Sequence, residues 1–428
     1  MHRNISAFLT QWVSKIGRKP LILNGARQIG KSWLVRNLGK TVFENNYIEL
    51  NFEKKPQLNQ LFEHDFDVKR IISEIEILEG KEITKNTLLF LDEIQNCPRA
   101  IMSLRYFFED MPDIHVIAAG SLLEFQLQNI PFPVGRVEIL EVFPMSFDEF
   151  LMATGNEKLA AILTQATLTL SPIIEDKFYQ ELLNYFWVGG MPECVQHYAN
   201  TKNYTQVRKI QEDLLYTYQQ DFSKYHPVVH KDCLLDILTN ISQNIGGQVI
   251  YARLSERFKG PTIKKGVEVL STAKIFRKIH NVSLHGLPFS VNGKQFKACF
   301  IDIGLLLCLS KVSFESLFYP QNLNSNFTGA WAEQFVGQQL LANASNPLHY
   351  WARTNPNSSA EVDYVVEKNG EIIPIEVKSG TAGKLRSLHV LLSENVSIKK
   401  ALVFSKGKSG VEGKLHFLPI YFAGYQYG

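Results

Sequence analysis

The chain has 428 residues, of which 45% are hydrophobic and 20% charged, and its formal net charge is +3. This length exceeds one ordinary hydrophobic core, so two or three globular domains are expected. The small net charge does not by itself indicate a nucleic-acid partner, although it leaves a local basic patch open. The longest apolar run, around "IGLLLCLS", is too short to span a bilayer, so no membrane partner is expected.

The cysteines bear on metal chemistry and on the cellular compartment. There are five, and their scattered spacing matches neither a zinc site nor a disulfide framework. The sequence therefore favours a reducing cytoplasm.

The first twenty residues are basic, and their apolar side chains are spaced for one face of a helix. A nucleotide motif follows too closely for a cleaved transit peptide, so this segment is predicted to be the first helix of the N-terminal domain.

The segment "PLILNGARQIGKSWLVRNL" has the order of a phosphate-binding loop. An apolar strand runs into Gly25-x4-Gly30-Lys31-Ser32 and then into a helix. Glycines let backbone N–H groups surround phosphates, and the helix N-terminus adds its positive dipole end. Lys31 is expected to reach the β- and γ-phosphates and Ser32 to bind Mg²⁺. The predicted nucleotide-binding residues of this loop are Gly25, Ala26, Arg27, Gln28, Ile29, Gly30, Lys31, Ser32 and Trp33.

A second motif, "NTLLFLDEIQNCPRA", places two carboxylates directly after an apolar run. Residues 87–91 are predicted to form a fully buried strand, and ligands of open α/β sheets bind at the carboxyl ends of strands. Asp92 is expected to hold Mg²⁺, and Glu93 to polarise the attacking water. An acidic pair at a helix N-terminus is the alternative, but the phosphate-binding loop upstream favours the catalytic interpretation.

Two further residues are candidates for the nucleotide site. Ser121 follows a third predicted strand, residues 113–121, and either senses the γ-phosphate or caps a helix. Arg136 lies in a predicted loop and either stabilises the transferred charge or is a surface charge. If it acts on a neighbouring subunit, the protein is a homo-oligomer.

The motifs "GARQIGKS", "LFLDEIQN", "AAGS" and "VGR…VFPMSFDEF" occur in this order. Together they resemble the bacterial and archaeal AAA+-type ATPases that carry a C-terminal domain of unknown function. The resemblance implies an AAA+-like parallel sheet over residues 1–155, and ATP rather than GTP as the nucleotide. The family pattern often has a threonine where this chain has Ala119.

The middle of the chain is predicted to be helical. Residues 156–230 contain an aromatic face before Gly189-Gly190, which is expected to be core. Residues 231–315 are predicted to be a winged-helix-like domain, in which a recognition helix leads into a wing. Docking to protein is the alternative to DNA binding. If the domain binds DNA, the phosphate contacts are expected from Lys264, Lys265, Arg277 and Lys278.

The segment "SSAEVDYVVEKNGEIIPIEVKSG" is predicted to be a hairpin with Asp363, Glu376 and Lys378 on one face. A type I′ turn at Asn369-Gly370 would place Asp363 opposite Glu376 in a non-hydrogen-bonded pair. Like charges so placed repel each other unless a divalent cation neutralises them. Lys378 would orient water or stabilise the developing phosphorane charge. Glu333, on the helix predicted for "TGAWAEQFVGQQLLAN", could reach the same metal.

This arrangement resembles the PD-(D/E)xK nuclease superfamily. In particular, "AEVDYVV…IPIEVKSG" resembles the version fused to the ATPase family named above, over roughly residues 327–422. The resemblance implies a restriction-endonuclease-like α/β domain over residues 316–428, with Mg²⁺ or Mn²⁺ as the cofactor. The alternatives are a surface ion pair between Glu361 and Lys378, or a fold that has kept these residues and lost cleavage.

Two hypotheses of different classes follow for this α/β chain. The first is an ATPase coupled to metal-dependent cleavage of nucleic acid, with DNA favoured. The second is a nucleotide-gated switch that binds DNA or protein without cleaving it. In the first hypothesis the catalytic residues are Lys31, Asp92, Glu93, Arg136, Asp363, Glu376 and Lys378, and the metal ligands are Ser32, Asp92, Glu333, Asp363 and Glu376.

Overall fold

The structure is a computed structural model that describes the following residues: 1–121, 131–165, 170–222, 229–319, 325–343, 347–353, 360–380 and 384–425. For residues 325–327 it describes the backbone alone. The chain divides into two units, residues 2–143 and 144–428. Each helix in the described ranges is too short or too polar to cross a lipid bilayer.

The first unit alternates strands and helices along the chain. Its elements are α1 (Ile5–Ser14), β1 (Leu21–Asn24), α2 (Lys31–Thr41), β2 (Tyr47–Asn51), α3 (Val68–Glu79), β3 (Leu88–Asp92), α4 (Pro98–Asp110), β4 (His115–Gly120) and β5 (Glu138–Glu141). The five strands form one sheet in the order β2-β3-β4-β1-β5, and every pairing is parallel. The parallel sheet predicted for the N-terminal part of the chain is therefore confirmed.

The central strands of this sheet are apolar because both of their faces are covered. β1, β3 and β4 are buried at every position. Ile71 and Ile75 of α3 and Leu104 of α4 pack in one core with Leu89 and Leu91 of β3. Because the strands are parallel, the segments that follow β1 and β3 lie at the same edge of the sheet.

The second unit begins with helices and ends in a mixed sheet. Its elements are α5 (Phe147–Ala153), α6 (Glu157–Leu163), α7 (Pro172–Val188), α8 (Pro192–Thr201), α9 (Tyr204–Asp221), α10 (Lys231–Gln243), α11 (Gly260–Thr272), β6 (Phe276–Ser283), β7 (Ser290–Phe300), α12 (Ile303–Leu309), α13 (Phe314–Phe318), α14 (Ser325–Asn343), β8 (His349–Ala352), β9 (Glu361–Lys368), β10 (Glu371–Val377), α15 (Arg386–Glu394), β11 (Ala401–Ser405), β12 (Gly410–Glu412) and β13 (Leu415–Pro419). The strands pair in the order β12-β13-β11-β10-β9-β8-β6-β7.

The glycine pair after α7 is a point of close approach. A Cβ on Gly190 would lie 2.1 Å from the carbonyl oxygen of Met145, and a Cβ on Gly189 would lie 2.2 Å from Oδ1 of Asp302. Asp302 is fully buried and accepts the backbone N–H of Gly190 at 2.6 Å and of Leu305 at 2.9 Å. These glycines therefore have a packing role. The aromatic residues before them are core, as predicted: Phe178, Tyr185, Phe186 and Trp187.

The helix and hairpin expected for a winged helix are present, but the hairpin is part of a larger sheet. β6 follows α11 and pairs antiparallel with β7. β6 also pairs in parallel with β8, so the hairpin extends the sheet that contains β9 and β10. One sheet thus contains strands from both of the predicted domains, residues 231–315 and 316–428.

The turn between β9 and β10 has the predicted geometry. Asn369 and Gly370 have φ of 51° and 78°, the positive pair that a type I′ turn requires. The register pairs Lys368 with Glu371 and continues to Tyr364 with Ile375. The predicted turn and strand pairing are thus confirmed as far as Tyr364 and Ile375, and the same register continued by one residue would set Asp363 opposite Glu376.

Helix α14 packs against β7 and β10, and its buried glutamines bind backbone groups of other elements. Gln334 accepts the N–H of Phe300 and donates to its carbonyl oxygen, both at 2.8 Å. Gln338 accepts the N–H of Ile303 at 2.8 Å, and Gln339 accepts the N–H of Phe147 at 2.8 Å. These amides fix α14 relative to β7, α12 and α5.

Candidate functional site

The predicted phosphate-binding loop connects β1 to α2 at the carboxyl edge of the parallel sheet. Gly25, Gln28 and Gly30 have φ of 155°, 60° and 90°. A Cβ on Gly25 would lie 2.5 Å from the carbonyl oxygen of Val142, so the loop needs glycine there. α2 begins at Lys31, directly after Gly30. The first N–H groups of α2 are therefore directed toward the loop, as phosphate binding requires.

The side chain of Lys31 lies along this loop. The residue is 7% exposed, and its Nζ donates to the carbonyl oxygens of Gly25 at 2.9 Å and Ala26 at 2.6 Å. The ammonium thus lies where the oxygens of a bound phosphate would replace the two carbonyls as acceptors.

Asp92 is the centre of a polar network at the end of β3. Its Oδ1 accepts a hydrogen bond from Ser32 Oγ at 2.9 Å, and its Oδ2 accepts one from Asn51 Nδ2 at 3.0 Å. Nη2 of Arg36 lies 3.6 Å from the same Oδ2. Burial raises the pKa of Asp92, and the hydrogen bond from Ser32 opposes this shift. Ala119 pairs with Asp92 in the sheet register and brings no hydroxyl to this point.

This network adds two residues that the sequence analysis missed. Asn51 is the last residue of β2, which is the strand next to β3. A polar side chain at the end of a neighbouring parallel strand is a signal that could have identified it. Arg36 also binds Glu49 through two hydrogen bonds of 2.8 and 2.7 Å, and nothing in the motif indicates that contact.

Glu93 follows Asp92 in a left-handed backbone conformation, with a φ of 51°. Non-glycine residues adopt this conformation rarely, and it is often found at functional positions. Gln95 Nε2 donates to Oε2 of Glu93 at 2.5 Å. The carboxylate is thus held by a neighbour that the sequence analysis did not single out.

The other predicted residues of this site have different surroundings. Ser121 is buried after β4, and its Oγ lies 3.4 Å from Nε of Arg27. Trp33 is 40% exposed. Arg136 forms an ion pair of 2.7 Å with Glu109 of α4, within the first unit.

The predicted metal-binding residues of the second unit lie on neighbouring elements. We define the C-terminal carboxylate cluster as Glu333 of α14, Glu361 and Asp363 of β9, and Glu376 of β10. Oδ2 of Asp363 accepts the backbone N–H of Val377 at 2.7 Å. Lys378 Nζ donates to Oε1 of Glu376 at 2.7 Å.

A buried lysine that the sequence analysis missed lies within this cluster. Lys297 of β7 has a side chain that is 3% exposed. Its Nζ lies 2.9 Å from Glu333 Oε1, 2.5 Å from Glu361 Oε1 and 3.8 Å from Asp363 Oδ1. The alternative of an ion pair between Glu361 and Lys378 is wrong, because Glu361 binds Lys297 instead.

The pKa shifts in the cluster follow from burial and from these charges. Burial raises the pKa of Glu333 to about 8, although Lys297 opposes the shift. Burial, followed by the charge of Asp363, raises the pKa of Glu376 to about 7. Burial alone would lower the pKa of Lys297, but the surrounding carboxylates raise it well above its usual value. Lys297 is therefore an ammonium at neutral pH.

The fit of the cluster to a divalent cation depends on two carboxylates. Glu376 is 5% exposed, and its Oε2 has no hydrogen-bond partner among the described residues. A buried carboxylate oxygen requires a donor, a proton or a cation. Across the described ranges, no group of three or more His, Cys, Asp or Glu side chains is arranged to hold a metal ion. Glu376 and Asp363 together offer two ligands.

The predicted phosphate-contacting residues of the winged-helix region differ in exposure. Lys264 and Lys265 are exposed on α11, whereas Arg277 and Lys278 are partly buried on β6. Lys278 also forms an ion pair of 2.5 Å with Glu268. Of these cations, the two on α11 are thus the most accessible.

Three parts of the chain match models of known domains. Residues 17–151 match an AAA domain. Residues 179–316 match a domain of unknown function (DUF8612), and residues 328–422 match a second domain of unknown function (DUF4143). None of the curated proteins matches this chain.

Several solved structures show a distant likeness to this chain. The Walker-type ATPase PABY2304 of Pyrococcus abyssi is 15% identical, with 71% of this chain and 94% of that chain covered and a TM-score of 0.45. The ORC1 protein of Aeropyrum pernix, solved in complex with DNA, is 13% identical, with coverages of 73% and 92% and a TM-score of 0.31. A RuvB variant of Thermotoga maritima is 15% identical, with coverages of 68% and 92% and a TM-score of 0.31.

The parallel sheet, the phosphate-binding loop and the domain match together define residues 17–151 as an AAA-type P-loop domain. The second unit combines helices with a sheet of mixed parallel and antiparallel strands.

Proposed function

We propose that the protein hydrolyses ATP in its first unit. The contact of 2.9 Å between Ser32 Oγ and Asp92 Oδ1 carries this proposal, because it joins the two side chains that hold Mg²⁺ in P-loop proteins. When bound, Mg²⁺ would neutralise charge on the β- and γ-phosphates. Lys31 would bind the same phosphates, and Glu93 would orient the attacking water.

Two variants test this proposal. Lys31→Ala is expected to weaken ATP binding because it removes the cation over the loop. Glu93→Gln is expected to keep ATP binding and to lower the rate of hydrolysis by about 100-fold or more, since it removes the base. ATP affinity and phosphate release would be measured on the full chain. Unchanged hydrolysis in Glu93→Gln would exclude that residue from its assigned role.

We further infer that the second unit binds nucleic acid, with DNA favoured, and that residues 316–428 form a PD-(D/E)xK nuclease-like domain. The register of β9 with β10, which continued by one residue sets Asp363 opposite Glu376, supports a divalent cation at this point, as does Oε2 of Glu376, which lacks a hydrogen-bond partner among the described residues. When bound, Mg²⁺ or Mn²⁺ would polarise a phosphodiester. Asp363 and Glu376 would hold the ion, and Lys378 would orient the attacking water.

Plasmid nicking in the presence of Mg²⁺ or Mn²⁺ tests the cleavage. Wild type is expected to nick the DNA, and Asp363→Asn is expected to lose this activity because one of the two metal ligands is weakened. Glu371→Gln is a suitable control, since Glu371 is exposed on the same hairpin. Equal nicking by Asp363→Asn and wild type would contradict the assignment.

The DNA interface is proposed to include Lys264 and Lys265, because both are exposed on α11. Changing each to Ala is expected to weaken binding to all DNA sequences and to reduce the slope of log affinity against log salt by about 1. A full chain whose DNA affinity is independent of salt would favour docking to a protein.

The second candidate function is a nucleotide-gated switch that binds DNA or protein without cleavage. Lys297 favours it, because this ammonium already neutralises part of the carboxylate cluster. Binding without nicking on every nucleic acid tested would select this function.

We also infer a cytoplasmic location, since all five cysteines are free and buried. A homo-oligomer in which Arg136 acts on a neighbouring subunit would be tested by the mass of the ATP-bound particle.

A further inference from the structure

The C-terminal carboxylate cluster already contains a cation that belongs to the chain. Nζ of Lys297 is within 3 Å of oxygens from both Glu333 and Glu361, at 2.9 and 2.5 Å. The same Nζ lies farther from Asp363, at 3.8 Å. The ammonium therefore divides the cluster into two carboxylates that bind it directly and a pair, Asp363 and Glu376, that lies beside it.

The second pair is the part that remains suited to a metal ion. Oδ2 of Asp363 accepts the N–H of Val377, the residue after Glu376, so Asp363 lies next to the end of β10 that carries Glu376. Glu376 has one oxygen bound to Lys378 and one buried oxygen without a partner among the described residues. Two carboxylates, each with an oxygen free of a close contact to Lys297, can hold one hard cation whose other ligands are water or phosphate.

We propose that Lys297 limits the C-terminal carboxylate cluster to a single divalent cation, bound by Asp363 and Glu376, and that Glu333 is a counter-ion of Lys297 rather than a metal ligand. This inference rests on the metal-binding part of the proposed function. It also differs from the sequence prediction, which included Glu333 among the ligands.

Charge gives the physical reason. Two-metal sites hold their ions about 4 Å apart, which requires several carboxylates to offset the repulsion. Here the place beside Glu333 and Glu361 is taken by an ammonium that is 3% exposed. A second divalent cation would have to displace that buried ammonium or bind next to it, and the repulsion between the two would be strong in this water-poor environment.

The test counts Mn²⁺ ions bound to the full chain by titration followed by electron paramagnetic resonance. Asp92→Asn serves as the background, without nucleotide, so that the phosphate-binding loop does not contribute. In this background the chain is expected to bind one Mn²⁺. Adding Asp363→Asn is expected to weaken that binding by at least tenfold, whereas adding Glu333→Gln is expected to change it by less than threefold.

Replacing the lysine gives the complementary result. Lys297→Met is expected to raise the number of bound Mn²⁺ from one to two, and Glu333→Gln in the same chain is expected to return it to one. Lys297→Arg, which keeps the charge, is expected to bind one ion. Lys294→Met is the matched control, because Lys294 is an exposed lysine of the same strand. Circular dichroism of each variant would confirm that the chain is folded.

Two results would overturn the inference while leaving the metal site intact: two ions bound when Lys297 is present, or equal losses from Glu333→Gln and Asp363→Asn. A chain that binds no Mn²⁺ with or without Lys297 would overturn both the inference and the metal-dependent part of the proposed function. The Glu333→Gln measurement does not depend on Lys297→Met being stable.

Discussion

Two buried carboxylates, Asp92 and Glu376, differ in how their charge is compensated. Asp92 accepts hydrogen bonds on both oxygens, from Ser32 and Asn51. Glu376 is bound by Lys378 on one oxygen, and the other has no partner among the described residues. Burial raises the pKa of both groups, and for Glu376 to about 7. Neutral pH is therefore close to the pKa of Glu376 when no metal is bound.

This shift predicts a pH-dependent stability in the presence of EDTA. A carboxyl whose pKa is higher in the folded than in the unfolded chain contributes stability that is complete below about pH 4.3. That contribution is lost as the pH rises through the folded pKa of about 7. Glu376→Gln removes this titrating group. The substitution is therefore expected to change the free energy of unfolding more favourably at pH 8 than at pH 5, by on the order of 1–3 kcal/mol.

Urea unfolding at the two pH values would measure this difference. Glu371→Gln, on the exposed start of the same strand, is the control. A Glu376→Gln effect that does not change with pH would show that the group is not titrating in this range.

At the scale of elements, α14 organises the second unit through its buried amides. Gln334 forms both a donor and an acceptor contact with the backbone of Phe300, at the end of β7. That contact is three residues from Lys297 on the same strand, and Glu333 is the residue before Gln334 on α14. The position of the carboxylate cluster thus depends on how α14 packs against β7. A third hydrogen bond joins α14 to β9: the hydroxyl of Tyr364 donates to the carbonyl oxygen of Glu333 at 2.9 Å.

Loss of the Gln334 amide is expected to be costly. Gln334→Leu keeps a similar volume but leaves the buried N–H and carbonyl of Phe300 without their partner. Each such group costs about 1–3 kcal/mol, so the free energy of unfolding is expected to fall by about 2–6 kcal/mol. Urea unfolding would measure this change. Gln206→Leu, at an exposed position on α9, is the control, and a similar small effect in both variants would contradict the role of α14.

At the scale of the whole molecule, one chain carries an AAA-type P-loop domain and a unit with a partly buried, charge-compensated carboxylate cluster. If ATP and DNA binding are linked, the linkage must be reciprocal: the factor by which ATP changes DNA affinity equals the factor by which DNA changes ATP affinity. This equality holds for binding and not for turnover. Glu93→Gln is therefore the suitable chain, because it is expected to bind ATP without consuming it.

We expect ATP with Mg²⁺ to change the DNA affinity of Glu93→Gln by about fivefold or more, and DNA to change its ATP affinity by the same factor. Fluorescence anisotropy with labelled DNA and with labelled ATP would give both numbers at one salt concentration. A pair of affinities that are each unaffected by the other ligand would show that the two units act independently.

The sequence by itself determined the features that depend on near neighbours along the chain. Gly25, Gly30 and Lys31 identify the phosphate-binding loop because backbone conformation and helix start are local properties. Asn369-Gly370 fixes the register of β9 with β10, because a two-residue turn leaves one alignment of the strands that flank it. From that register, the placement of Asp363 on the strand facing Glu376 could be predicted.

The tertiary structure alone decided the contacts between distant segments. Lys297 enters the carboxylate cluster because β6 and β7 join the sheet of β9 and β10, and no local pattern near Lys297 indicates that pairing. Asn51 reaches Asp92 for the same kind of reason, since strand order sets which strand ends are adjacent. Strand order and the positions of the helices depend on the packing of the whole core, which involves many distant segments at once. Turn and loop conformations depend on a few adjacent residues.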